Sequence, residues 1–187
     1  MAYRNAAVKE KAVIRNYDGM NIGYTEEIRF IDGSWDERTC LGVMKFNDPE
    51  GARHWLQSDH PFRQPDFLDQ VDILIVPLQK SDMSHKGYPI IELMNLRIKM
   101  KEVFESKYLS EMKCLIKECG GCPLIVQHDD VWKWRGSKNP GSIIINQWPD
   151  WESYHKFSTK DETKKLEELR KTISSGYKIV AELIIDM

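Results

Sequence analysis

The chain has 187 residues, 41% hydrophobic and 30% charged, with 27 Lys and Arg against 29 Asp and Glu and a net charge of −2. That is a globular composition with material for one domain or two small ones, and its charge balance argues against a general binder of nucleic acid or of an anionic membrane surface. No apolar run approaches the roughly 18–20 residues of a membrane span, and Arg4, Lys9, Glu10, Lys11 and Arg15 leave no apolar core for a signal peptide, so a cytoplasmic protein is expected.

Residues 7–17 read in two ways, as the stump of a helix or as a strand hairpinned through Asp18-Gly19. Val71 to Leu78 is a short β-branched run with the pattern of a buried strand, and the polar stretch 79–87 after it is a linker. The second half has a clear pattern. A strand is expected near 89–96. Phe104, Tyr108, Met112, Leu115 and Ile116 have helical spacing over 100–118, and Gly120-Gly121 stops that helix. Pro123 opens a strand running to Trp134, a turn follows at Gly136 to Gly141, and an isoleucine-rich strand covers 142–148. A helical region over 150–174 ends at Gly176, before a last strand at 177–185. The order β-α-β-β-α-β is that of a ferredoxin-like unit, an antiparallel sheet with two helices on one face.

The chain also repeats itself. Ile14 to Gly19 aligns with Ile116 to Gly121, Phe46-Asn-Asp-Pro-Glu50 with Trp148-Pro-Asp-Trp-Glu152, and Trp55 to Asp59 with Phe157 to Asp161, all at an offset of 102. The turn at Asp32-Gly33 and the closing strands correspond with small gaps. The expected organisation is a degenerate unit at 1–78, a linker at 79–87 and a complete unit at 88–187. The first unit lacks a counterpart of the strand 89–96.

The motifs Cys119-Gly-Gly-Cys-Pro123, Ile145-Asn-Gln-Trp-Pro-Asp-Trp-Glu-Ser-Tyr154, Phe157, Leu166 to Arg170 and Ile179 to Leu183, with Asp32-Gly-Ser-Trp35, Met44 to Glu50 and His54-Trp55 in the first half, resemble the dimeric α+β barrel superfamily. Within it they are most similar to a small ferredoxin-like family known as a domain of unknown function. The resemblance implies two units packed sheet to sheet, closing a barrel with the helices outside. Single-copy members need a homodimer for this; a tandem copy closes the barrel within one chain. Members of the superfamily include cofactor-independent monooxygenases, lactone isomerases, haem enzymes and ligand binders, so the fold does not fix the function.

Cys114, Cys119 and Cys122 have a C-x4-C-x2-C spacing, with Cys40 remote. They fall at a helix C-terminus, where the dipole disfavours thiolate, and no fourth cysteine follows, so neither a metal nor a redox role is expected. Alternation along 124–134 places His128, Asp130, Trp132 and Trp134 on one face. A carboxylate two residues from an imidazole can orient it as a general base, which makes His128 and Asp130 the catalytic candidates. Glu26 is the repeat counterpart of His128, and Glu26, Trp132, Trp134 and Trp148 are the ligand-binding candidates. Val131-Trp-Lys-Trp-Arg135 interleaves aromatic and basic residues, but alternation puts the two kinds on opposite faces, unlike a single-strand nucleic-acid groove. The expectation is a small-molecule-binding α+β barrel for a hydrophobic or aromatic molecule, without metal or cofactor, with cofactor-independent catalysis left open. The alternative is a noncatalytic dimerisation or assembly module.

Overall fold

The computed structural model describes residues 13–35, 39–58, 71–77, 87–127 and 131–184, the side chains of 125–127 excepted. A helical turn at 13–15, the stump reading of this stretch, leads through Asp18 at φ +54° into strand β1 (Gly19–Tyr24). Strands β2 (Ile28–Asp32) and β3 (Gly42–Phe46) follow. Helix α1 (Pro49–Gln57) starts where Asp48 accepts the Gly51 N–H at 2.7 Å, with Pro49 at a position whose N–H has no helical partner anyway. Strand β4 (Ile73–Ile75) occupies the middle of the run expected to be a strand.

The second half comprises β5 (Ile90–Ile98), helix α2 (101–118), β6 (Cys122–Gln127), β7 (Trp132–Arg135), β8 (Ser142–Trp148), α3 (Trp151–Thr159), α4 (Asp161–Ile173) and β9 (Ser174–Glu182). Within α2 the segment Phe104–Leu109 is a π-helix, which brings Phe104, Tyr108 and Leu109 to the buried side. Strands β2, β9, β5, β8 and β6 form, in that order, a five-stranded antiparallel sheet. Its four second-half strands follow the β-α-β-β-α-β connectivity read from the sequence.

Two expectations are corrected. The strand predicted over 123–134 is two strands in different sheets: β6 pairs with β8, whereas β7 pairs with β4 of the first half. Gly176 does not end a helix; it lies inside β9 at φ +151°, where a Cβ would sit 2.0 Å from the Asn95 carbonyl oxygen. Close backbone approach in mid-strand, rather than helix termination, is what requires glycine there.

Both faces of the five-stranded sheet are covered. Ile90, Met94, Leu96, Ile144, Trp148 and Val180 pack against α2, α3 and α4 with Phe104, Met112, Phe157, Leu166 and Ile173. On the opposite face Ile91, Leu93, Ile143, Ile145, Ile179 and Ala181 meet Ile22, Ile28, Leu41, Val43, Leu74 and Val76 of the first half. An antiparallel sheet often leaves one face to water; here the first half covers that face.

The ladders of the two halves share their registers. Met20↔Lys45, Asn21↔Met44, Gly23↔Val43 and Tyr24↔Gly42 join β1 to β3, and Cys122↔Gln147, Pro123↔Asn146, Ile125↔Ile145 and Val126↔Ile144 join β6 to β8, with a bulge at the same place. Each half also lends a strand to the other. Arg29↔Val180, Phe30↔Ile179 and Asp32↔Lys178 join β2 to β9, and Trp132↔Ile75, Lys133↔Leu74 and Arg135↔Ile73 join β7 to β4, with Ile31 and Trp134 the bulged residues. The turns beyond these strands are alike too: Gly33 at φ +92° lies against Tyr177, and Gly136 at φ +104° lies against Asp72. Among the described residues no helix is long and apolar enough to cross a membrane.

Gly33→Ala is expected to destabilise the chain by more than about 1–3 kcal/mol, because the side chain would need a positive φ and would lie 2.2 Å from the Gly176 carbonyl oxygen. Urea denaturation followed by far-UV circular dichroism measures it; unchanged stability would mean that the contact between this turn and β9 is not made.

Candidate functional site

One group of polar side chains is buried in the interior, and a second, partly exposed, lies at its edge. The first is on the helix side of the sheet. In β5 and β9 the residues facing the helices should all be apolar, yet Glu92 stands between Ile90 and Met94, and Lys178 two residues before Val180. The Lys178 ammonium lies 2.7 Å from Glu92 Oε2 and 3.2 Å from Glu167 Oε1, the latter on α4. Arg170, one helical turn on and 1% exposed, pairs with Glu167 at 2.9 Å and with Asp32 at the end of β2. Asn146 donates to Glu92 Oε1 at 2.9 Å, and the Tyr108 hydroxyl donates to Glu167 at 3.2 Å. Burial pushes the Glu167 carboxyl up, but Lys178 and Arg170 outweigh it and hold it below the usual carboxylate range. Burial likewise raises Asp32 and is outweighed by the hydrogen bond and charge of Arg170. Burial would lower Lys178, but Glu92 and Glu167 keep it charged to above its ordinary value. For Tyr108, burial and the charge of Glu167 both favour the neutral phenol. This cluster fixes charges in place and, through Asp32, ties the first half to the second.

The second group lies on the other face of the sheet, between the halves. Asn95 of β5 pairs in register with Ile143 and Tyr177, at the end of the apolar lining. There Trp35 meets Tyr177 edge to face at 5.2 Å, and the Lys138 ammonium sits 3.7 Å from the centre of the Trp35 ring. Lys138 also faces Asp72 at 3.9 Å, and its backbone N–H donates to Asp72 Oδ1 at 2.9 Å. Asn95 donates to the Asn139 carbonyl at 3.3 Å and accepts from the Gly141 N–H at 2.8 Å, with the Tyr177 hydroxyl 3.5 Å from its amide nitrogen. Burial raises the Tyr177 phenol, only partly offset by Asn95. The shifts that align the ladders exchange Trp35 with Lys138 and Tyr177 with Asp72, so the four occupy mutually equivalent positions, two from each half.

The residues singled out from sequence fall elsewhere. His128 and Asp130 lie outside the described residues. Glu26 is exposed in the turn between β1 and β2, while Ile28 packs inward. Trp132 and Trp134 are 38% and 36% exposed on β7, the former beneath the Arg53 guanidinium. Trp148 is fully buried on the helix side against Tyr154 and Phe157, away from the apolar layer between the halves. Cys119 is buried at the end of α2, and Cys40 and Cys114 are exposed. Among the described residues no three His, Cys, Asp or Glu side chains gather as a metal site would require. Glu92 and Lys178 did leave a signal, a charge at a core-facing position of an alternating strand; Trp35 and Lys138 lie in loops and Asp72 just before β4, and they left none.

No protein-family model matches the chain, and no curated protein matches it. Among solved structures, a crystal structure from Fusobacterium nucleatum subsp. nucleatum bearing the name "Putative monooxygenase" superposes over 99% of this chain and 85% of that one, with a TM-score of 0.49 and 12% identity. Identity at that level transfers no residue role.

Lys178→Met is expected to cost about 3–5 kcal/mol, because it leaves Glu92 and Glu167 buried without their cation. The pH dependence has two limbs. Asp32 and Glu167 have depressed folded values, so their contribution is complete above the unfolded carboxylate range of about 4 and is lost as pH falls through the folded values. Lys178 and Tyr108 have raised folded values, so their contributions fade as pH rises beyond about 10. Thermal melts across pH should show a plateau between about 5 and 9, and Asp32→Asn should flatten its acid edge.

Proposed function

We propose that the chain is a tandem of two ferredoxin-like units, 1–78 degenerate and 88–187 complete with 79–87 between them, closing an α+β barrel whose interior binds a small hydrophobic or aromatic molecule. The shared registers and the reciprocal loan of β2 and β7 support the tandem reading. The observation that supports the functional one is the apolar layer between the halves. Both halves supply its aliphatic side chains, and at one end it meets the aromatic and polar group of Trp35, Tyr177, Lys138, Asp72 and Asn95. An apolar lining with a few placed polar groups is the usual composition of a small-molecule site.

In this reading His128, with Asp130 orienting it, is the group that meets the ligand; the two lie in sequence where the chain passes from β6 to β7. A homodimer is then an addition to the barrel rather than a requirement for closing it. The assembly-module alternative is favoured by one observation: the side chains clustered in the middle of the lining are all apolar, as in a simple core.

Ligand-observed NMR with toluene, indole and 1-naphthol distinguishes these readings. Saturable binding of at least one probe, one per chain, is expected, and His128→Ala should weaken it about tenfold or more while moving the melting temperature by less than about 2 °C. Absence of saturable binding by all three would favour the assembly module.

A further inference from the structure

Followed from strand to strand, the ladders run almost all the way around the two halves. β9 pairs with β5, β5 with β8, and β8 with β6. The chain passes from β6 to β7, which pairs with β4. In the other direction β9 pairs with β2, the chain leads back from β2 to β1, and β1 pairs with β3. One seam is left, between β3 and β4. Among the described residues β3 has no ladder but that with β1, and β4 none but that with β7. Nor do the backbones of β3 and β4 run side by side at the spacing of paired strands.

The second half shows what occupies the corresponding place. There β5 lies between β8 and β9, antiparallel to both. The shared registers match Val43 and Met44 of β3 with Ile145 and Asn146 of β8, and Ile73, Leu74 and Ile75 of β4 with Lys178, Ile179 and Val180 of β9. With β5 between them the residues of β8 and β9 are all buried, whereas their counterparts on β3 and β4 are all only half-buried. Two open backbone edges, each carrying half-exposed apolar side chains, form a template for strand addition.

We propose that this seam accepts one extended strand of a second polypeptide, antiparallel to β3 and β4 and apolar along both its faces. One face meets Met44, Ile73 and Ile75 on the α1 side, and the other meets Val43 and Leu74. Backbone hydrogen bonds supply the affinity of such an addition, and the side chains on its two faces supply the selectivity. That selectivity differs from what β5 meets. Glu92 of β5 is held by Asn146 and Lys178, but the corresponding places beside the seam hold Met44 and Ile73. A carboxylate at that position of the incoming strand would be buried without a cation, so the strand taken up is uncharged there. The inference rests on the correspondence of the halves in the proposed tandem, and not on what the interior binds.

A synthetic peptide with the sequence of residues 89–99 and its Glu92→Thr form test it, titrated into the full chain by fluorescence anisotropy. The Glu92→Thr form should bind saturably, one per chain, and about tenfold or more tightly than the native sequence. Hydrogen exchange should slow at amides of both β3 and β4 when it is bound. Ile73→Lys sets an ammonium where Lys178 stands in the second half, and should move the preference toward the Glu92 peptide. No saturable binding of the Glu92→Thr form, equal affinities in the wild type, or protection confined to one of the two strands would each overturn the inference without recourse to a variant. A folded Ile73→Lys protein with an unchanged preference would overturn it as well. Each of these results leaves the proposed interior site standing.

Discussion

A strand at the edge of a sheet carries a row of backbone N–H and C=O groups that must find partners, and the arrangement of this chain follows from how it meets that demand. The β9 edge of the five-stranded sheet is met by β2, and β4 is met by β7. Neither half satisfies its own edge, so each depends on the other. The exchange also sets the register of every side chain between the halves, because a slip of one residue would turn Ile28 or Leu74 out of the lining. The bulges at Ile31 and Trp134 fall just before the last pair of each ladder, Asp32↔Lys178 and Arg135↔Ile73, beyond which the chain enters the turns at Gly33 and Gly136.

The two faces of the sheet are built on different physics. Toward the helices, charged groups stand among aliphatic and aromatic side chains, and each is matched: Lys178 by Glu92 and Glu167, Arg170 by Glu167 and Asp32. Such a cluster adds little net stability over an apolar replacement of the same shape, but it penalises any packing that separates its members. Asp32 belongs to a strand of the first half and Arg170 to a helix of the second, so the penalty applies to the relative placement of the halves. Toward the interior the lining is aliphatic, and polar groups gather at its end. Asp32 thus connects the two: Arg170 holds it, and three residues on, beyond Gly33 and Ser34, comes Trp35.

Trp35 and Lys138, and Tyr177 and Asp72, hold corresponding register positions beside the ladders β2–β9 and β7–β4 but carry unlike side chains. The backbone places them in equivalent pairs, and in a perfect repeat each position would carry the same residue as its mate. Here one mate is an indole and the other an ammonium, one a phenol and the other a carboxylate. Corresponding positions filled by unlike groups end the apolar layer between the halves on two aromatic rings and an ion pair, which identical residues would not provide.

The sequence by itself determined what depends on neighbours along the chain. The start of the helical region at Asp150, the isoleucine-rich strand β8 and the helical spacing of Phe104 to Ile116 all express local periodicity and local hydrogen bonding. The order of strands in the second half followed, because few connections join such elements without crossing. Only the tertiary structure decided which sheet received β7, since alternation continues through Trp132 and Trp134 whichever edge the strand joins. It also decided that Gly176 serves a close backbone approach, since the same residue after a helical run is a good stop signal. The partners of Glu92, Asp32 and Trp35 lie tens of residues away or more. Turns carry no periodicity to say which face a side chain will meet, so the end of the lining exists only once the two halves have exchanged strands.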